Sequence, residues 1–251
     1  MTSPAARHMM RVSASETAQR AAVPLCNATA YEQMLVKLAA DNRTLKQIRS
    51  NERKADKKRE LLPFYLPWVA GVLENGKGVQ DDIVMTMMLW RLDADDIAGA
   101  LEIARYAMAY GLTMPTGRRP TPYLLAEEVA LAAQRLRGAK QPVELANLLD
   151  TLALTERADM PDIVRAKLHK ITGYVLRDAE QLPEALAHLQ RAIQLESSIG
   201  VRKDIEQLAR QLRPKPEPAP KTKTTKPRTR KPAAKPAARR GRPPKAAKAA
   251  G

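Results

Sequence analysis

Apolar residues recur at helical spacing along most of this chain, and nowhere do they alternate with the period of two that a strand requires. The first sustained pattern opens at Tyr31. Tyr31, Met34, Leu35, Leu38, Leu45 and Ile48 fall on one helical face, with Glu32, Lys37, Asp41, Arg43 and Lys46 on the other. Steps of seven join Tyr31, Leu38 and Leu45, which suits either association between helices or docking of one helix on its own core. Residues 51–60, NERKADKKRE, read as a charged helix continuation or linker. Residues 61–73, LLPFYLPWVAGVL, then gather Phe64, Tyr65 and Trp68 around Pro63 and Pro67, a cluster whose plain use is packing.

Beyond this point the punctuation predicts a series of helices. Asp81 and Asp82 open an apolar run that ends at Leu92, and Asp93, Asp95 and Asp96 precede a helix over 97–110 that Gly111 stops. Thr121 and Pro122 read as N-cap and first helical residue of a helix reaching Arg137, closed by Gly138. Pro142, Pro161 and Pro183 start three more, and residues 201–212 complete the set. The expected fold is all-α. The spacing divides the chain into an N-terminal arm at 1–30, which has room for one short helix, and an amphipathic charged helix at 31–60 suited to oligomerisation or DNA contact. A multi-helix core at 61–213 and a tail at 214–251 follow. Within the core, Ala100, Ala104 and Ala107 echo Ala185, Leu189 and Ala192. With Gly173 they match the small-residue spacing of tetratricopeptide-like helical hairpins, although ordinary hairpin packing uses the same residues.

Charge changes this picture at one end. Of the net +16, the tail carries thirteen Lys and Arg against Glu217 alone, which leaves only +4 for residues 1–213. Nine of the 19 prolines also lie in the tail, with no aromatic residue. Such a composition cannot bury enough apolar area to offset chain entropy, so disorder is expected. A concentrated cationic segment without aromatics favours duplex phosphates over unpaired bases. The expected DNA contacts are Lys221, Lys223, Lys226, Arg228, Arg230, Lys231, Lys235, Arg239, Arg240, Gly241, Arg242 and Lys245. Among them Arg240-Gly241-Arg242-Pro243 resembles an AT-hook. Gly241 has no Cβ, so the backbone can sink into a narrow A·T minor groove, and the flanking arginines can reach its negative potential.

Candidate chemistry in the core is sparse. Cys26 is the one cysteine, so no intramolecular disulfide can form and a reducing compartment is expected. No apolar stretch is long enough for a secretory leader or a membrane span, so a soluble intracellular chain is expected. Glu52-Arg53-Lys54, with Asp41 upstream, fits a nuclease half-motif that normally sits on a strand, whereas here it falls in a solvated helical run. Asp81, Asp82, Asp93, Asp95 and Asp96 suit helix starts better than a metal site. His8, His169 and His188 are scattered, and no zinc pattern or other metal site is called for. Residues 71–78 spell G-x-x-x-x-G-K-G, yet a P-loop needs Ser or Thr after the lysine and a strand before the first glycine.

Long strings nevertheless carry a family likeness: YEQMLVKLAADNRTLKQI at 31–48, KKRELLPFYLPWVAGVLENGKGVQDDI at 57–83, MLWRLDADDIAGALEIARYAMAYGLTMP at 88–115 and ADMPDIVRAKLHKITG at 158–173. The chain resembles the small terminase subunit, also described as the terminase endonuclease subunit, of temperate tailed bacteriophages of the peduovirus group. The resemblance implies binding of double-stranded phage DNA at the cohesive-end site in the host cytoplasm. It also implies a large ATPase subunit as partner, homo-oligomerisation, cleavage of concatemeric DNA and packaging into the procapsid. No cofactor follows from the residues. Mg²⁺ would enter only if this chain is itself the nuclease, which the residues leave open. The alternatives are that endonuclease role and a general architectural DNA-binding protein, and a core of about 210 residues argues against the second.

Overall fold

Local signals place most of the helices, and the burial of one run fixes how they assemble. In the computed structural model, residues 3–19, 29–115, 117 and 119–213 are described. They form ten helices and no strand: α1 (Pro4–Gln19), α2 (Thr29–Gln47), α3 (Asn51–Asn75), α4 (Asp82–Asp93), α5 (Ile97–Ala109), α6 (Thr121–Gly138), α7 (Leu145–Thr155), α8 (Asp162–Asp178), α9 (Leu182–Leu195) and α10 (Arg202–Leu212). The all-α expectation holds. These helices belong to one unit that ends at Arg213.

The centre is α4. Ile83, Val84, Met85, Met87, Met88, Trp90 and Leu92 are all buried, so this helix is apolar nearly all round and shows no amphipathic stripe. It packs against α3, α5 and α6. Pro63 and Pro67 lie inside α3, where each removes a backbone hydrogen bond and costs about 3 kcal/mol in an isolated helix. The helix persists because Leu62, Tyr65, Trp68, Val69 and Val72 are buried along one face. α3 therefore runs through residue 60, joining the charged segment and the start of the core in one element.

The N-terminal arm contributes a 16-residue helix, α1, that packs on α3. Ala14 is fully buried there, and a Cβ on Gly71 would lie 2.4 Å from the Arg11 carbonyl oxygen. Arg11 pairs with Glu74 on the same contact. At the other end α8 and α9 form a hairpin whose closest approach is again at a glycine: a Cβ on Gly173 would stand 2.8 Å from the Leu189 side chain. The small positions Ala100, Ala104 and Ala107 of α5 and Ala185 and Ala192 of α9 are all buried, which is a shared packing device and not in itself a tetratricopeptide repeat.

Two helix starts differ from their expected form. Thr121 is the first residue of α6 and not its cap, because its hydroxyl donates to the Leu112 carbonyl at 2.7 Å and ties the preceding loop instead. α7 begins at Leu145, three residues after Pro142. No helix of the described residues is long and apolar enough to cross a membrane.

Candidate nucleic-acid interface

The expected DNA contacts of the tail, Lys221 through Lys245, lie outside the described residues. Within the body, positive charge collects where α2 turns into α3. Between 43 and 60 there are eight Lys and Arg against Glu52, Asp56 and Glu60, a local +5 that accounts for the whole excess of residues 1–213. Leu38 and Leu45 are buried and half-buried Tyr31 packs on Trp68, so the seven-residue repeat docks within the chain. The Ser50 hydroxyl accepts the Arg53 backbone N–H at 3.3 Å and starts α3 after a short turn. Arg43, Lys46, Arg49 and Arg53 are exposed around this elbow, with half-buried Lys54 beside them. Among the described residues these five cations have no ion-pair partner, and the positive end of the α3 dipole adds to them.

Further along α3 the elbow opens into a cleft of about 1060 Å³ between α3, the α4–α5 turn and the end of α6. Here Lys58, Arg59 and Arg135 are paired. Lys58 bonds Asp93, and Arg59 donates through Nη1 to Asp56 at 2.6 Å and through Nη2 to Asp95 at 3.1 Å. Arg135, arriving from α6, donates through Nε to the other oxygen of Asp95 at 3.0 Å. Arg59 and Arg135 also donate to the Ala94 and Leu92 carbonyls, satisfying the last turn of α4 as cations at a helix C-terminus do. Asp95 adopts a left-handed conformation, φ 65°, which Asp tolerates better than most side chains.

The cleft brings together the nuclease half-motif residues Glu52 and Lys54 with Asp93 and Asp95. The donor set nevertheless does not fit a divalent ion as it stands. Asp56, Asp93 and Asp95 are each engaged by Lys or Arg, and no three His, Cys, Asp or Glu among the described residues converge closely enough to hold a metal. Asp41 lies elsewhere, buried, accepting the Tyr65 hydroxyl and the Lys37 ammonium at 2.6 Å. Burial and this carboxylate push the Tyr65 phenol strongly upward.

Capping accounts for other candidate acids. Asp81 accepts the Ile83 and Val84 amides at 2.9 Å and Asp96 that of Gly99, whereas Asp93 and Asp95 serve the cleft. The glycine-rich octet ends α3: Gly76 caps it, and Gly78, at φ 77°, donates its amide to the Tyr106 hydroxyl. His169 and His188, far apart in sequence, meet across α8 and α9 with their Nδ1 atoms 3.1 Å apart. Burial, reinforced by His188 and by Arg191 and Arg165, lowers His169 to about 4. Burial lowers His188 as well. Linear spacing gave no sign of this pair. The Asp95 clamp was equally hidden, apart from an Asp-Ala-Asp-Asp string that marks a turn.

Residues 35–163, taking in the elbow, the cleft and most of α2 through α7, match the profile of the phage small terminase subunit. The chain belongs to that family. This small terminase subunit is 66% identical over 248 residues to the protein named terminase, endonuclease subunit of Escherichia phage P2, covering 98% of this chain and all of the relative. It is 26% identical over 197 residues to the probable terminase, endonuclease subunit of Haemophilus phage HP1, covering 72% and 70% of the two chains. No solved structure matches it. The profile lies wholly within the helical body and excludes the tail, whereas the phage P2 relative is similar across the length of the chain.

Proposed function

We propose that this small terminase subunit holds double-stranded phage DNA at the cohesive-end site and, with a large ATPase subunit, brings about cleavage and packaging of concatemeric DNA into the procapsid. The near-full-length similarity to the phage P2 terminase subunit carries the reading. Two cationic regions supply the DNA contact. The α2–α3 elbow offers unpaired side chains on a rigid helical frame, and the tail offers Lys221 to Lys245 with the AT-hook-like Arg240-Gly241-Arg242. Backbone neutralisation by such groups releases counterions, so affinity depends steeply on salt. The protein acts in the host cytoplasm as a homo-oligomer.

The test is binding to a cohesive-end duplex by full-length protein and by variants in each region. Arg49→Gln with Arg53→Gln is expected to weaken binding several-fold, and removal of residues 214–251 to weaken it more. Unchanged affinity in both would refute the DNA reading.

A second reading places the cut in this chain, and the names of both relatives favour it. Because three of the four cleft carboxylates, Asp56, Asp93 and Asp95, are ion-paired, we expect purified protein with Mg²⁺ to leave a cohesive-end duplex intact unless the large subunit is added. Specific cleavage by this chain alone, abolished by Glu52→Gln or Asp93→Asn, would instead establish the endonuclease here.

A further inference from the structure

We propose that Asp95 is an acidic mask over a second phosphate-binding site in the cleft, and that DNA held at the elbow uncovers it by drawing Arg59 and Arg135 away. The inference rests on the elbow as a DNA contact and adds its regulation. Two guanidiniums from α3 and α6 converge on one carboxylate, each taking a different oxygen, at 3.1 and 3.0 Å. That is the geometry in which paired arginines hold two oxygens of a phosphate. The carboxylate side chain is 21% exposed, whereas Arg59 and Arg135 are 47% and 44% exposed, so both cations open to the cleft. Ion pairs this exposed contribute little, and an incoming phosphodiester can take over their donors at small net cost.

The ligand class follows from continuity. Lys54 lines the cleft and adjoins the unpaired Arg53 and Arg49, so a backbone lying on the elbow runs into the cleft without crossing an uncompensated acid other than Glu52. The mask limits affinity for any duplex that touches the elbow only briefly, because the second site opens only to a phosphate already held nearby.

Asp95→Asn is the decisive variant, since Asn tolerates the left-handed backbone while removing the charge. In the full-length protein, fluorescence anisotropy with a cohesive-end duplex should show binding about three- to tenfold tighter, with a salt slope steeper by about one to two. Adding Arg59→Gln should cancel the gain. Equal or weaker binding by Asp95→Asn, with helicity and melting unchanged, overturns the proposal. If Asp95→Asn alters melting, Asp56→Asn removes the second of the two carboxylates that hold the Arg59 guanidinium without touching the turn; a smaller gain is expected there, and absence of any gain overturns it too. Loss of affinity in Arg49→Gln/Arg53→Gln without a gain in Asp95→Asn sinks the mask alone, whereas no loss sinks the elbow reading beneath it. Tightening of Asp95→Asn toward a poly-glutamate peptide, with none toward DNA, would likewise overturn the phosphate assignment.

Discussion

At Asp81 one carboxylate serves two elements. One oxygen accepts the Ile83 and Val84 amides that open α4, and the other accepts the Trp68 indole N–H from α3 at 2.9 Å. Its burial raises its pKa, opposed by those same hydrogen bonds. Asp81→Ala removes the cap and orphans a buried indole donor, so a loss of roughly 2–4 kcal/mol is expected. Thermal melting should fall by roughly 5–12 °C, with Asp81→Asn retaining part of the cap, and an unchanged melting point for Asp81→Ala would contradict this role. The His169–His188 contact gives a pH dependence of definite sign. The unfolded chain takes up a proton near 6.5 and folded His169 only near 4, so the unfolded state binds more protons in between. Stability is therefore intact above about 6.5 and declines as pH falls through that window. The decline is on the order of 1 kcal/mol by pH 5 once partial exposure is allowed for. Urea titrations of wild type and His169→Gln should diverge below pH 6.5, and parallel curves would show the pair to be silent. The capping aspartates were legible because an N-cap is a contact within three residues. The histidine pair was not, because it depends on the register of two helices.

Among the elements, α1 depends on a close approach at a glycine. It is joined to the body across α3, where Ala14 lies against Gly71 and Arg11 pairs with Glu74. A side chain at residue 71 meets a backbone carbonyl at 2.4 Å, which cannot swing aside as a flexible side chain could. Gly71→Ala is expected to lift α1 from α3 at a cost of about 1–3 kcal/mol. Hydrogen exchange should then show lost protection in residues 4–19 while α4 stays protected, and equal protection in the variant would mean that the close approach is not needed. The sequence did show a helix-rich chain with breaks near the right places. It did not show that α1 is a full helix, or that α3 continues through Pro63 and Pro67, because proline acts locally whereas the burial that overrides it comes from α4.

For the molecule as a whole, charge is divided unequally: +12 in residues 214–251 and +4 in all that precedes them. Most of the salt dependence of DNA binding should therefore reside in the tail. Truncation at residue 213 is expected to flatten the slope of log affinity against log salt by several, while circular dichroism of the helical body stays unchanged. An unaltered slope would assign the electrostatic grip to the elbow and cleft. The few excess charges of the body lie within 43–60 and border a cleft where Lys58 and Arg59 of that segment, together with Arg135, are paired with Asp56, Asp93 and Asp95.

The amino-acid sequence by itself determined the helical class, the approximate helix starts, the separation of a cationic tail from a nearly neutral body, and the family. Each of these depends on neighbours a few residues apart or on composition, which need no folded partner. Only the tertiary structure decided that the seven-residue face of α2 turns inward and that Glu52, Asp93 and Asp95 border one cleft. It alone decided that Arg59 and Arg135 clamp Asp95 across 36 and 40 residues of chain. Whether a charged side chain is free or neutralised depends on which helix packs beside it, and that is set by the burial of α4 at the centre and not by any local pattern.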